Sequence, residues 1–243
     1  MPETLLYLYA IAEPGGSPEL PAEGVEAGAV EWRELDGLAA VFSRVPGEDY
    51  DEAPLAKRMG DAPWLAERAG RHDRVLRALL GEVTLLPCRF GTLLRAEARL
   101  REMITEHRAE FLESLDRLRG HVEWSVKAFA VEPPEAALEP EDDSGTAFLQ
   151  SRLRQRREKH DWLATAQDGA GALGGHIAPH VAHTHPLPLT TQPGLVVNLA
   201  CLVPCGNLPA FQQALDHFAA EAPALTLRAN GPWPPYNFAA VPR

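Results

Sequence analysis

Residues 132–145 read EPPEAALEPEDDSG, with three prolines, six carboxylates and little that a hydrophobic core could use. A stretch of this kind is solvated and resists regular structure, which makes it a connection between folded units. It divides the chain into an expected N-terminal α+β domain, residues 1–132, and a C-terminal domain, residues 146–243, joined by an acidic, proline-rich linker at 133–145. The elements on either side of it decide the fold class.

Working back from the linker, HVEWSVKAFAV (121–131) alternates Val122, Trp124, Val126 and Ala128 with Glu123, Ser125 and Lys127, the pattern of a strand with one wet face. Ala96 to Leu118 carries Leu100, Met103, Ile104, His107, Phe111, Leu115 and Leu118 on one stripe among Arg and Glu, which predicts a single helix. VTLLPCRFGTLL (83–94) is a strand interrupted at Pro87 and Gly91, hence an edge strand or one with a bulge. Trp64 to Leu80 is amphipathic at three- and four-residue steps, with Asp61 placed to cap it and Gly81 to stop it. Leu5 to Ile11 and Leu38 to Val45 are apolar runs closed by EPGGSPELP and Pro46-Gly47, as buried strands are. The first half is therefore β-β-α-β-α-β.

Beyond the linker, Phe148, Leu149, Leu153, His160 and Leu163 keep helical step from about Ala147 to Gln167, with an irregular continuation through the glycines towards His185. Leu195 to Val203 is a buried strand, Leu208 to Ala220 a helix capped by Asn207, and Ala224 to Arg228 the start of another strand. This order predicts an α+β protein of two domains, with helices packed on mostly antiparallel sheets; ferredoxin-like layers are an arrangement it allows.

The formal charge of -11, from 23 basic and 34 acidic residues, disfavours general attraction to nucleic acid or to an anionic membrane. The dense basic run RLRQRREK (152–159) is expected to be the solvated face of a helix. No uninterrupted apolar stretch approaches the roughly 20 residues that span a bilayer. Cys88, Cys201 and Cys205 are odd in number and scattered, and LLYLYAIA (5–12) lacks a basic n-region and a cleavage signature, so a reducing, cytoplasmic setting is expected.

Motifs for enzymatic chemistry are scarce. The sequence holds no Gly-Lys-Ser/Thr phosphate loop, Gly-x-Gly-x-x-Gly, Gly-x-Ser-x-Gly or His-Glu-x-x-His. GGHIAPHVAHTHP (174–186) places His176, His180 and His183 at spacings that suit a metal on a helix, which would make the chain a metal-dependent enzyme. Against this, Pro179 and Gly174-Gly175 weaken the helix, and the last carboxylate before the cluster is Asp168, so the competing reading is a polar loop. Two further stretches are not explained by composition. In LPCRFGT (86–92), Arg89 is either an edge arginine reaching solvent or, with Phe90 and Gly91, an anchor for a partner. In RANGPWPPYNFAAVPR (228–243), Trp233 and Tyr236 sit among Pro232, Pro234 and Pro235, a segment expected to clamp onto a domain after a turn at Asn230-Gly231.

These two stretches carry a family resemblance. LPCRFGT, followed by an Arg/Glu-rich helix, resembles the LPLRFGT segment of the gas vesicle protein F/L family, and NGPWPPYNF (230–238) is similar to its TGPWPPYSF signature. LLYLYAIA and HDRVLRALL (72–80) also fit the layout. Cys88, Asn237 and Ala239 depart from the usual apolar residue, serine and valine, and the histidine-rich segment is not a hallmark of the family. The resemblance implies a non-enzymatic, cofactor-free accessory protein of gas vesicle formation with a modified ferredoxin-like C-terminal domain. It also implies partners in the small hydrophobic shell protein and other accessory proteins, association with gas vesicles in the cytoplasm, and a structural role for Pro87 and for Gly231 to Tyr236. Exposed strand edges near the two motifs are the expected contact for the shell protein.

Overall fold

The computed structural model describes residues 4–16, 18–132 and 145–239. The predicted linker lies, except for Gly145, outside the described residues. The chain forms two units, divided between Glu123 and Trp124 and again between Gly231 and Pro232, so that the segment from Pro232 belongs with the first unit.

In the first unit, β1 (Thr4–Ala12) is the centre of the sheet, flanked by the hairpin of β2 (Val30–Leu35) and β3 (Leu38–Pro46). Asp36 and Gly37 join the hairpin with φ of 51° and 78°, the paired positive values of a type I′ turn, whose twist matches that of the strands. Then follow α1 (Gly47–Tyr50), α2 (Glu52–Arg58) and α3 (Ala62–Leu79), the last started by Asp61, whose carboxylate accepts from the Trp64 N–H. The other side of β1 pairs antiparallel with β4 (Leu85–Pro87) and β5 (Leu93–Leu94), two short edge pieces. Every residue from Leu5 to Ala12 is buried, because α3 covers one face of the sheet while α4 (Glu97–Glu106) and α5 (Arg108–Leu118) pack on the β5 and β4 side; a strand covered on both faces needs no polar alternation. A bulge at Tyr9 shifts the register between Leu8 and Ala10, which lets Tyr9 and Ala10 both join the same core cluster.

The expected single helix from Ala96 to Leu118 is instead two, broken at His107, whose φ of -104° and ψ of 15° leave the helical region. The apolar stripe survives the break, since Leu100 and Ile104 before it and Phe111, Leu115 and Leu118 after it are all buried. Stripe periodicity reports a shared face and is blind to a one-residue kink.

The second unit takes its first strand from β6 (His121–Ala130), which enters it at Trp124. It continues with α6 (Gly145–Ile177), β7 (His183–Pro186), β8 (Leu195–Pro204), α7 (Leu208–Glu221) and β9 (Leu225–Trp233). The sheet order is β7-β8-β6-β9, so the βαββαβ chain has its fourth strand beside its first, as in a ferredoxin-like unit. The strand at 121–130, grouped with the first domain from sequence, therefore completes the second sheet. The acidic stretch is the connection between β6 and α6, and composition that marks a solvated connection does not distinguish one inside a domain from one between domains. Nor do Asn230 and Gly231 turn the chain, for β9 runs through both. Its core joins Trp124, Val126 and Ala128 to Leu173, Ile177, Leu202, Phe211 and Leu215, with the Trp124 and Phe211 rings at 5.9 Å.

Candidate functional site

The first unit is tied together by one tyrosine. Tyr7, on β1, accepts the Gly91 N–H at 3.1 Å and lies 3.0 Å from His72 Nδ1 on α3. The direction of the Tyr7–Nδ1 hydrogen bond follows the His72 tautomer: Tyr7 donates to Nδ1 when the neutral imidazole carries its proton on Nε2. That Nε2 points towards the Cys88 main chain without completing a hydrogen bond. Burial lowers the His72 pKa from 6.5 to about 4, outweighing the Asp73 carboxylate and the Cys88 main chain, which act in the opposite direction. Burial likewise raises the Tyr7 hydroxyl far above its usual range and pushes the Cys88 thiol up to about 12. Phe90 closes the cluster, its ring 6.0 Å from Tyr7 and 5.9 Å from His72.

The same contacts explain the interruptions at Pro87 and Gly91. Leu8 and Tyr9 of β1 face a longer segment between β4 and β5: Cys88 N–H donates to the Tyr9 carbonyl at 2.7 Å, and Thr92 accepts from Leu8 N–H at 2.9 Å. The excess residues loop outward as a turn, closed by Thr92 N–H on the Arg89 carbonyl at 3.1 Å, with Gly91 at a φ of 81° that a side chain would strain. Pro87, with no N–H to offer, ends an edge strand. Arg89 at the turn is exposed rather than embedded in an apolar strand, and Phe90 is half-buried. Together with Leu94, Arg99, Met103 and His107 they line a groove of about 450 Å³.

The 232–239 segment clamps to this unit. Pro234 and Pro235 are buried, and Arg77 of α3 lies 4.1 Å from the Trp233 ring centroid. Glu123, which the alternation placed on a wet face, is 6% exposed and receives the Asn237 main-chain N–H at 2.8 Å and its side-chain Nδ2 at 2.6 Å. Tyr236 keeps 36% of its surface, while the partial burial of its hydroxyl and the carboxylate of Asp73 raise its pKa. Gly231 belongs to β9 and Pro232 is exposed. The anchoring of this segment thus comes from Trp233 to Asn237.

The histidines of the 174–186 stretch do not come together on one helical face. His176 ends the long helix with Nε2 3.1 Å from the Ala214 carbonyl and its ring on Phe218, His180 is in a short 3₁₀ turn, and His183 and His185 are on exposed β7. Pro179 sits where the helix gives way, so the face shared at helical spacing is never formed. Among the described residues, no three His, Cys, Asp or Glu side chains are placed to hold a metal ion.

The four stretches LLYLYAIA, HDRVLRALL, LPCRFGT and the segment around Trp233 thus meet in one unit, although they span the length of the chain. The family model described as "Gas vesicle synthesis protein GvpL/GvpF" matches residues 5–240. The chain belongs to this family. A GvpL/GvpF relative, gas vesicle protein L of Streptomyces sp. (strain CB03234), is 33% identical over 260 residues, which cover 98% of this chain and 94% of the relative. Gas vesicle protein F2 of Halobacterium salinarum is 27% identical, with 99% of this chain and 94% of the relative covered. The crystal structure of GvpF from Anabaena sp. PCC7120 superposes with a TM-score of 0.71 at 23% identity, covering 99% of this chain and 98% of that one. GvpF from Microcystis aeruginosa gives a TM-score of 0.68 at 20% identity, with 97% and 99% covered. The α+β fold of the GvpL/GvpF family and an involvement in gas vesicles are thereby established for this chain. No helix among the described residues is long and apolar enough to cross a membrane.

Proposed function

We propose that the chain is a gas vesicle assembly accessory protein that holds the small hydrophobic shell protein, and that the groove beside the Arg89–Thr92 turn is where it does so. The observation that carries this reading is the groove's composition: apolar Phe90, Leu94 and Met103 with Arg89 and Arg99 beside them. Arginine and aromatic residues dominate binding hot spots, and methionine adapts to irregular apolar partners. The turn is held rigid by the Gly91–Tyr7–His72 chain, so little ordering entropy is lost on binding. Strand addition at this edge is the weaker route, because β4 and β5 offer only three and two residues separated by the turn. The net charge of -11 keeps a loaded complex soluble in the cytoplasm until the subunit passes to the growing shell or to other accessory proteins. Arg89, Phe90 and Gly91 are thus the partner-binding residues, while Pro87 and the Gly231–Tyr236 motif support the unit that presents them.

Co-expression of the shell protein with and without this chain tests the proposal. Increased shell-protein solubility and co-purification are expected. Equal solubility in both cases, with no co-purification, would overturn it.

A further inference from the structure

The helix α6 is 33 residues long, about 50 Å at 1.5 Å per residue. Its C-terminal half packs into the second unit: Ala166, Leu173 and Ile177 are buried, and half-buried Trp162 donates Nε1–H to the Val131 carbonyl at 2.9 Å. Upstream, every residue from Arg152 to Asp161 is exposed except half-buried Gln155. The side facing away from Trp162 carries Leu153, Arg157 and His160 at helical steps, with Arg156 and Leu163 beside them. The leucines are 59% and 45% exposed. A purely solvated face has no use for exposed leucines at 153 and 163.

The charge of this arm opposes that of the chain. Residues 152–161 hold five basic side chains and two acidic ones, in a protein of net charge -11. Among the described residues, Arg154, Arg156, Arg157 and Lys159 make no ion pair. A shallow pocket of about 320 Å³ lies among Leu153, Arg156, Arg157, His160 and Asp161.

We propose that the exposed face of α6 between Arg152 and Leu163 docks an acidic amphipathic helix of a partner protein. Leucines at Leu153 and Leu163 would pack against the partner's apolar stripe as in a two-helix seam, and the flanking guanidiniums would receive its carboxylates in two-point hydrogen bonds. A bare polyanion such as nucleic acid would use the arginines but leave the leucines in water, and would be repelled by the rest of the surface. An anionic bilayer needs a broader apolar face than two leucines separated by Arg157 and His160. A second copy of the arm would set arginines against arginines.

The test uses the intact chain and a synthetic helical peptide of about 21 residues with leucine on one stripe and glutamate on both flanks, followed by fluorescence anisotropy in about 150 mM salt. The peptide is expected to bind roughly tenfold or more tightly than a scrambled peptide of the same composition, and binding should weaken as salt rises. Combined R154E, R156E and R157E substitution is expected to abolish binding, and L153A with L163A to weaken it by roughly tenfold; R154Q with R157Q serves if the reversal disturbs folding. Equal affinity for the scrambled peptide, tighter binding of duplex DNA or phosphatidylserine vesicles, self-association through the arm, or indifference to the arginine changes would each overturn the proposal.

Discussion

Replacing Tyr7 with phenylalanine removes a single oxygen and keeps the ring in contact with Tyr9, Tyr50 and Phe90. That oxygen is the acceptor for Gly91 N–H and the partner of His72 Nδ1, and Tyr7 is fully buried. The variant therefore leaves two groups without a partner, each costing about 1–3 kcal/mol, for a loss of about 2–6 kcal/mol. In a chain of this size 1 kcal/mol shifts Tm by about 2–4 °C, so a fall of roughly 4–24 °C is expected. Thermal and urea unfolding followed by circular dichroism at neutral pH measure it, with His72→Phe and the double variant completing a cycle. The two substitutions should be coupled by at least about 0.5 kcal/mol, because they remove the same hydrogen bond. A loss under about 0.5 kcal/mol, the scale of a surface change, or strict additivity in the cycle, would refute the reasoning.

Other outcomes follow from the same contacts. Because burial lowers His72 to about 4, the unfolded chain takes up this proton first as pH falls, so stability fully present above about 6.5 declines towards pH 4 by up to about 3 kcal/mol. Subtracting the pH profile of His72→Phe isolates this slope, and identical profiles would contradict a buried neutral imidazole. Trp233→Ala removes a half-buried ring and its contact with Arg77, and a destabilisation of about 2 kcal/mol is expected in urea unfolding of the first unit. Destabilisation confined to the second unit would refute the placement of this segment. Native protein treated with iodoacetamide should be labelled at exposed Cys205 while buried Cys88 and Cys201 react only after denaturation; rapid labelling of Cys88 would contradict its burial.

The elements were legible in the sequence where apolar residues form a stripe, as in α3 with its Asp61 cap and Gly81 stop and in α7, or a continuous run, as in β1, β3 and β8. The interruption of 83–94 was legible too, since Pro87 and Gly91 each forbid a regular central strand. Missed was β2, whose half-buried, charged residues give weak alternation, although Asp36-Gly37 before the β3 run is a strong hairpin signal. The boundary between the units was displaced because pairing between β6 and its distant neighbours is a non-local fact, invisible to a local window. Glu123 and the terminal motif illustrate the same limit. Nothing near Glu123 in sequence announces that Asn237, 114 positions away, will satisfy its buried carboxylate. The tyrosine–histidine cluster likewise joins Tyr7, His72 and Gly91 from three stretches that the sequence marks only as familiar words.

The proposal that the groove beside the 89–92 turn holds the shell protein is tested most directly by a pull-down that separates groove from scaffold. Met103→Glu combined with Arg89→Glu alters the groove without touching the Tyr7 cluster, while Trp233→Ala weakens the scaffold. At a temperature where all three proteins are folded, the account predicts that the groove variant loses shell-protein capture and Trp233→Ala keeps it. Undiminished capture by the folded groove variant would contradict it.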